Sequence, residues 1–200
     1  MKELKGKNYI CTKEGHLNKD SIGWSRKTFN NCNISNGYFR RKIWNHYMWI
    51  EENFICAFAI VDLDYVGLIF IDFYDLKNNK EIHRSIKTPL SQGIFINPKI
   101  GSSASAKVYN TVINIIGINK ALNIIAKLGK ISIEANINLD DESLNVLVPW
   151  NDKQYHYTSK QLPLKSNGYI SAEDKKYYLD NSFTFIDYGR GIWEREKSWY

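Results

Sequence analysis

The sequence predicts an all-β protein, an antiparallel β-sandwich or barrel with at most one short helix. Apolar and polar residues alternate with a period of two along most of the chain, as in strands that bury one face. Turn-forming residues separate these runs at the short intervals that are typical of hairpins. No long segment has the 3.6-residue period of an amphipathic helix. These three observations together favour a sandwich or barrel of short strands.

The clearest predicted strand is ISIEANINL, residues 131–139, whose isoleucine, alanine and leucine side chains face one way and whose polar side chains face the other. KVYNTVINIIGI (107–118) and LNVLVPW (144–150) also predict strands, the second ended or edged by its proline. KALNIIAKL (120–128) predicts a strand, with a short helix as the alternative. FICAFAIVDLDYVGLIFIDFY (54–74) predicts two strands with a bend near its Asp-Leu-Asp-Tyr-Val-Gly segment.

Short polar segments rich in Asn, Asp, Gly and Lys predict the turns between these strands. They are Asn36-Gly37, residues 77–80, residues 128–130, residues 140–142 and Asn167-Gly168. ISAEDKKYY (170–178) is the candidate for the one short helix, with Ser171 as its N-cap. The chain has no internal repeat or composition break, so its 200 residues predict a single β-rich domain, 1–200.

Composition excludes several classes of protein. No apolar stretch reaches the roughly 18 residues that a membrane helix needs, and the N-terminus has no apolar signal region, so we expect a cytoplasmic protein. Three widely spaced cysteines (Cys11, Cys32 and Cys56) and four scattered histidines argue against disulfides and against a metal site. We find no cofactor motif and predict neither a cofactor nor a metal.

The net charge of +6 is concentrated at the start of the chain. Residues 1–50 contain ten Lys/Arg and three Asp/Glu, whereas the remaining residues are close to neutral. This basic quarter indicates either an anionic partner or a solvated lysine-rich start with arginines held in local pairs. Both interpretations stay open from the sequence.

The segment GYFRRKIWNHYMWIE, 37–51, is unusually aromatic and basic for a strand. Alternation places Lys42, Trp44 and His46 on one face, and Arg41 and Trp49 on the other. A cation near apolar walls needs a partner, and the carboxylates in or beside apolar segments are Asp62, Asp64, Asp72 and Asp187. The segment therefore predicts either a structural pair of arginine with aspartate or tryptophan, or a cavity that orients an apolar ligand by one polar end.

The C-terminal segment FTFIDYGRGIWEREKSWY, 183–200, places glycines on both sides of Arg190. Its DYGRG sequence is neither a phosphate-binding loop nor a dinucleotide fingerprint, and the chain shows no Ser-His-Asp order or GxSxG elbow. The glycines predict a bulge or corner that aims the Arg190 guanidinium towards Asp187.

Several short motifs resemble, in order, those of the domain of unknown function 2804 family. They are GWSR (23–26), RRKIW (40–44), DYVG (64–67), YTSKQ (157–161) with Gly168, and DYGRGIW (187–193). The resemblance covers most of the chain and implies a lipocalin-like β-structure, distantly similar to carotenoid hydratases and tocopherol-cyclase-type proteins. Glu194 stands where the family usually has proline, and family members are longer. The resemblance therefore implies that 1–200 is the N-terminal part of an incomplete family fold.

The resemblance, together with the aromatic and basic strands, implies a lipocalin-like binding module for an apolar, lipid-like or isoprenoid-like ligand. The candidate ligand-binding residues are Trp24, Arg26, Arg41, Lys42, Trp44, Asp64, Tyr65, Asp187, Arg190 and Trp193. One alternative is an enzyme of the hydratase or cyclase type, in which Asp64 or Asp187 protonates a double bond. Another is a fragment that acts only with a partner or self-associates through open strand edges. Nucleic-acid binding is disfavoured because the basic residues alternate across both faces of their strand.

Overall fold

The computed structural model describes residues 1–180 and 182–194 and confirms the all-β prediction. Apart from one short 3₁₀ helix, Lys19–Ser21, its regular elements are β-strands. The strands are β1 Gly23–Ser25, β2 Arg41–Ile50, β3 Phe54–Asp62, β4 Val66–Asp75, β5 Lys80–Pro89, β6 Ile94–Ile96, β7 Ala104–Val108, β8 Thr111–Ile118, β9 Ala121–Leu128, β10 Ile131–Asn138, β11 Leu144–Pro149, β12 Tyr155–Leu164, β13 Ser166–Ala172, β14 Lys175–Tyr178 and β15 Phe183–Ile192.

The strands form two antiparallel sheets. The first has the order β1-β11-β12-β15-β2-β3-β4-β5, and the second has the order β14-β13-β10-β9-β8-β7-β6. Within the described residues neither sheet closes on itself, so the architecture is a sandwich and not a closed barrel. The long-range pairing places β15 at the centre of the first sheet, between β12 and β2.

One hydrophobic core lies between the two sheets. The second sheet contributes the apolar face of β10, with Ile131, Ile133, Ala135 and Ile137 buried as their alternation predicted. At one end, Tyr177 of β14 donates a hydrogen bond to an Asp75 carboxylate oxygen at 3.0 Å and packs its ring against phenylalanines of the first sheet. These contacts tie the edge of the second sheet to the first.

The predicted helix at 170–178 is wrong. The segment is a hairpin in which Ala172 pairs with Lys175 across a two-residue turn. Glu173 and Asp174 both have positive φ angles, 46° and 71°, which is the backbone of a type I′ turn and matches the twist of the flanking strands. The hairpin stays in the sheet because Tyr177 packs on the core.

Two further predictions about the second sheet need correction. KVYNTVINIIGI (107–118) is two strands, because Val108 pairs with Thr111 around a tight turn at Tyr109. Asn167-Gly168 is not a turn but lies inside β13, where Gly168 faces Ala135. A Cβ atom at Gly168 would approach the Glu134 carbonyl oxygen to 2.1 Å, so the glycine permits close contact between two backbones. The segment at 120–128 is a strand, not the alternative helix.

Among the described residues, no helix has the length and apolar character needed to cross a membrane.

Candidate functional site

Strand β15 divides the predicted site between two faces of the first sheet. Asp187, Gly189 and Gly191 occupy its outward positions, while Tyr188 and Arg190 are buried on its inward face. The ten candidate residues therefore do not line one cavity. Some of them lie in a group of aromatic rings on the outward face of the sheet, and one lies in the core. The others make local contacts near the ends of β1, β2 and β4.

Four rings form what we call the aromatic platform, on the outward face of the first sheet: Trp44, Trp150, His156 and Trp193. The His156 ring lies between two tryptophans and nearly parallel to both, with centroid distances of 5.3 Å to Trp44 and 6.3 Å to Trp150. Trp193 meets all three rings edge-on at 5.2 to 5.8 Å. All four side chains are half-buried, so the platform is packed from below and accessible from outside.

Two glycines of β15 leave the space that the platform occupies. Gly189 pairs with Trp44 on β2, and a Cβ atom at Gly189 would lie 2.0 Å from the Trp44 ring. A Cβ atom at Gly191 would lie 2.8 Å from the Trp193 indole nitrogen. The glycines therefore leave room for the Trp44 and Trp193 indoles against the backbone of β15. They do not form the corner predicted from the sequence, because residues 183–192 are a continuous strand.

Asp187 forms the polar side of the platform. Its carboxylate accepts from the Lys160 ammonium at 2.8 Å, from the Thr158 hydroxyl at 3.2 Å and from the Trp44 indole N–H at 3.4 Å. Three donors from two neighbouring strands thus converge on one half-buried carboxylate, which places a charged pair beside the exposed edges of the rings.

A small pocket of about 240 Å³ adjoins the platform at Trp193. Phe39, Arg40, Lys42, Tyr65 and Glu194 complete its lining. The Lys42 ammonium lies 5.4 Å from the centre of the Tyr65 ring and donates to the Tyr65 hydroxyl at 3.3 Å. The pocket therefore combines an aromatic wall with two basic side chains and one carboxylate, that of Glu194.

Arg190 does not contact Asp187, contrary to the prediction. Residues three apart on a strand point to opposite faces, and the Arg190 side chain enters the core with 1% exposure. Its guanidinium donates to the Trp44 carbonyl at 2.6 Å, to the Gly189 carbonyl at 2.8 Å, and to the Asn45 side-chain oxygen at 2.8 Å. Burial lowers the pKa of Arg190 from its ordinary value.

Arg41 and Asp64 form the structural arginine–aspartate pair that the sequence offered as one interpretation. The guanidinium donates to one Asp64 carboxylate oxygen through both Nε, at 2.7 Å, and Nη2, at 2.5 Å. The contact raises the pKa of Arg41. The Asp64 side chain is almost fully buried, so the pair ties the start of β2 to the bend between β3 and β4 and faces neither the platform nor its pocket.

Trp24 and Arg26 lie apart from the platform, at the β1 edge of the first sheet. The Arg26 guanidinium sits 5.5 Å from the centre of the Trp24 ring and pairs with Glu3 at 3.2 Å and Glu142 at 3.7 Å. These exposed contacts fasten the N-terminal segment to the sheet edge and account for both residues without a ligand.

Sequence reasoning missed Trp150 and His156 as parts of the site. The signal was present in the alternation of YHYTSK, 155–160, which places His156, Thr158 and Lys160 on one face. What the alternation could not show is that this face lies beside Trp44, two strands away. Burial lowers the pKa of His156 to about 4, so the ring is a neutral imidazole within the platform at neutral pH.

The described residues contain no group of three His, Cys, Asp or Glu side chains that could hold a metal ion. Comparison with known proteins gives a family. The model of the domain of unknown function 2804 matches residues 1–200. The chain belongs to the domain of unknown function 2804 family. None of the curated proteins matches this family member.

Two solved structures are similar to this member of the family. One, from Nitrosomonas europaea and described as an AttH, is 9% identical with a TM-score of 0.53, covering 79% of this chain and 53% of its own. The other is kievitone hydratase from Nectria haematococca, 10% identical with a TM-score of 0.49, covering 83% of this chain and 54% of its own. The chain thus spans about half the length of both structures. At 9% identity, the likeness to the Nitrosomonas structure shows a shared fold alone.

Proposed function

We propose that this chain is a binding module for an apolar small molecule with one polar end, and that the aromatic platform is its contact surface. The observation that carries the proposal is four half-buried rings on the outward face of a sheet, with space left for them by Gly189 and Gly191. Outward sheet positions are ordinarily polar, and concentrated aromatic surface of this kind is typical of ligand contact.

The pocket next to Trp193 supports the polar end of the proposed ligand. Lys42 and Arg40 supply two positive charges there against the one carboxylate of Glu194, and Tyr65, with 47% of its surface exposed, supplies a hydroxyl. A fatty acid carboxylate or an isoprenoid hydroxyl placed against Lys42 would leave its apolar body over the rings. Of the ten predicted ligand-binding residues, this arrangement uses Lys42, Trp44, Tyr65, Asp187 and Trp193.

The test is displacement of a fluorescent fatty-acid probe by saturated fatty acids and isoprenoid alcohols, compared between two tryptophan variants. Trp44→Leu removes one of the two indoles that flank His156 in the platform, and we expect about five- to tenfold weaker binding, from the roughly 1–1.5 kcal/mol of an aromatic contact. Trp24→Leu is the matched control, because Trp24 is also a half-buried tryptophan of the same sheet. Absence of probe binding, or equal loss in both variants, would refute the proposal.

The hydratase or cyclase alternative rests on Asp187. Asp64 is engaged by Arg41 and lies away from the rings, whereas Asp187 lies beside them. Three donors converge on the Asp187 carboxylate, so the structure presents it as an acceptor, while protonation of a double bond needs it as a donor. Binding therefore accounts for this geometry better than acid catalysis does. Self-association through open strand edges and a cytoplasmic location remain predictions from the sequence.

A further inference from the structure

An aspartate, a histidine and a serine lie in hydrogen-bond contact on the outward face of the first sheet, at its β4–β5 side. The His83 ring contacts the Asp72 carboxylate through Nδ1, and its Nε2 lies 3.1 Å from the Ser85 hydroxyl oxygen. The order along the chain is aspartate, histidine, serine, which a search for a Ser-His-Asp order misses. We call these three residues the edge triad.

Strand geometry brings the three side chains of the edge triad together. His83 and Ser85 are two residues apart on β5 and so share a face, and His83 pairs with Asp72 on β4. Leu90 donates to the Tyr65 carbonyl at 3.0 Å, and hydrogen-bonded pairs alternate with non-bonded pairs along an antiparallel ladder. The pair of Asp72 with His83 is therefore of the non-bonded kind, in which opposite side chains lie closest.

This arrangement can activate the serine as a nucleophile. With its proton on Nδ1, the neutral imidazole donates to the Asp72 carboxylate and accepts from the Ser85 hydroxyl through Nε2. The carboxylate then fixes the tautomer and orientation of the ring, and Nε2 is placed to take the hydroxyl proton. An exposed histidine–aspartate pair alone contributes little to stability, so the contact with Ser85 points to chemistry.

The open edge of the sheet offers a donor for the oxyanion that such a reaction forms. Ser85 pairs with Phe70 in the same non-bonded class, so its backbone N–H points away from β4. Among the described residues β5 is the outer strand of the first sheet. Lys87 is the next outward residue of β5, about 7 Å along the strand. The Ser85 N–H and the Lys87 charge are therefore placed beside a carbon atom bonded to the serine oxygen.

An apolar strip connects the edge triad with the aromatic platform. It consists of the outward residues of β3 and β4 between them: Ala57, Ala59, Val61, Leu68 and Phe70, of which Ala59 is buried and the others are half-buried. Trp44 on β2 and Ser85 on β5 are three inter-strand spacings apart across this strip, about 14 Å. An apolar chain that starts at Ser85 and crosses the strip therefore reaches the rings of the platform.

We propose that the edge triad hydrolyses carboxylic esters that have a long apolar acyl chain. The Ser85 oxygen bonds to the ester carbonyl carbon while its proton passes to His83 Nε2. The bond from that carbon to the alcohol oxygen then breaks, and Nε2 gives the proton to the departing alkoxide.

Water completes the reaction. It attacks the carbonyl carbon of the acyl-serine and gives a proton to His83 Nε2, which returns it to the Ser85 oxygen as the acyl–oxygen bond breaks. The products are the alcohol and the carboxylic acid, and no co-reactant besides water is needed. The triad stands without the platform, and only the position of a long chain over the rings rests on the proposed function.

The test is hydrolysis of p-nitrophenyl butyrate and p-nitrophenyl dodecanoate by the whole chain. Ser85→Ala and His83→Ala should each lower kcat/KM by about a hundredfold or more, and Asp72→Asn by about tenfold or more. Ser132→Ala is the matched control, because Ser132 is an outward serine of the second sheet on a strand without histidine, and it should leave kcat/KM unchanged. Mass spectrometry of the quenched reaction should find the acyl group on Ser85.

The chain length of the ester separates this inference from the proposed function. Trp44→Leu should lower kcat/KM for the dodecanoate about fivefold and leave that for the butyrate unchanged. An equal effect on both esters would overturn the placement of the acyl chain. Displacement of the fluorescent fatty-acid probe should be the same in Ser85→Ala as in the unchanged chain, so binding at the platform is measured independently of hydrolysis.

Three results would overturn the inference. The first is no hydrolysis of either ester by a chain that thermal unfolding shows to be folded. The second is activity that persists in Ser85→Ala but not in His83→Ala, since a lone imidazole would then be the catalyst. The third is an equal loss of activity in Ser132→Ala and Ser85→Ala, which would remove the special role of the serine beside the imidazole.

Discussion

Replacing Gly189 by alanine is the most direct test of how the aromatic platform is built. The added Cβ atom would lie 2.0, 2.1 and 2.3 Å from three carbons of the Trp44 indole, whereas carbon atoms in contact ordinarily keep about 3.5–4.0 Å. The indole ring is rigid and must therefore move outward by roughly 1.5 Å or swing off the sheet. Either movement breaks the stacking on His156 at 5.3 Å and the bond to Asp187 at 3.4 Å.

The expected destabilisation follows from the interactions that this movement of the indole breaks. An aromatic pair contributes about 0.5–1.5 kcal/mol, one charge-assisted hydrogen bond about 1.5 kcal/mol, and alanine in a strand returns about 0.5–1 kcal/mol over glycine. Gly189→Ala should therefore lower the free energy of unfolding by about 2 kcal/mol. In the Trp44→Ala background the clash disappears, and the same change should stabilise the protein by up to about 1 kcal/mol.

The assay is urea unfolding monitored by far-ultraviolet circular dichroism. Tryptophan fluorescence is unsuitable as a signal, because the substitutions at and beside Trp44 alter it directly. The double-mutant cycle should give a coupling of about 2–3 kcal/mol between Gly189 and Trp44. Gly191→Ala is the control, since its Cβ atom would meet the Tyr155 carbonyl oxygen at 2.5 Å whether or not Trp44 is present. If Gly189→Ala lowered the free energy of unfolding equally with and without Trp44, the position of the Trp44 ring would not depend on the glycine.

Two other predictions concern the charged groups of the same strands. Arg190→Met should destabilise the protein by about 3 kcal/mol or more, because the Trp44 carbonyl and the Asn45 side-chain oxygen lose a buried donor. Asp187→Asn on the outward face should destabilise it by about 1 kcal/mol or less. Comparable losses of stability for the two variants in urea unfolding would contradict the inward placement of Arg190 and the outward placement of Asp187. Burial lowers the pKa of His156 to about 4 in the folded chain. In the unfolded chain the imidazole binds a proton at its ordinary pKa of about 6.5, so between these two pH values only the unfolded chain is protonated at His156. Stability should fall by about 2–3 kcal/mol as pH drops from about 7 to 4, and His156→Asn should make that fall shallower; an unchanged slope would refute the assignment.

Alternation along single strands was predictable from the sequence because it depends only on local geometry. The faces of β2 follow from a period of two, and Asn45, Tyr47 and Trp49 are buried as a set. The same rule excludes a contact between Asp187 and Arg190, since an odd separation of three places them on opposite faces. The predicted contact is wrong because the glycines beside Arg190 continue strand β15 and do not form a corner.

Which strands lie next to each other was not predictable, because strand pairing joins segments that are far apart in sequence. Trp44 and His156 are more than a hundred residues apart in sequence and meet only because β15 inserts between β2 and β12. Nothing in either local pattern indicates that insertion. The hairpin at Glu173 and Asp174 was missed for a different reason, since neither residue is the glycine or asparagine that usually marks a type I′ turn.

Strand β15 gives the platform proposal a further physical test. Its outward residues, Gly189 and Gly191, have no side chains and so make room for rings, while its inward residues, Tyr188 and Arg190, bring polar groups into a core. Substitutions along β15 should therefore alternate in phenotype. Changes at odd positions should alter binding of apolar ligands at the platform, whereas conservative changes at even positions, such as Tyr188→Phe, should leave that binding unchanged. A scan in which binding of apolar ligands fell equally at odd and even positions would mean that β15 acts only as a structural strand and that its outward face carries no site.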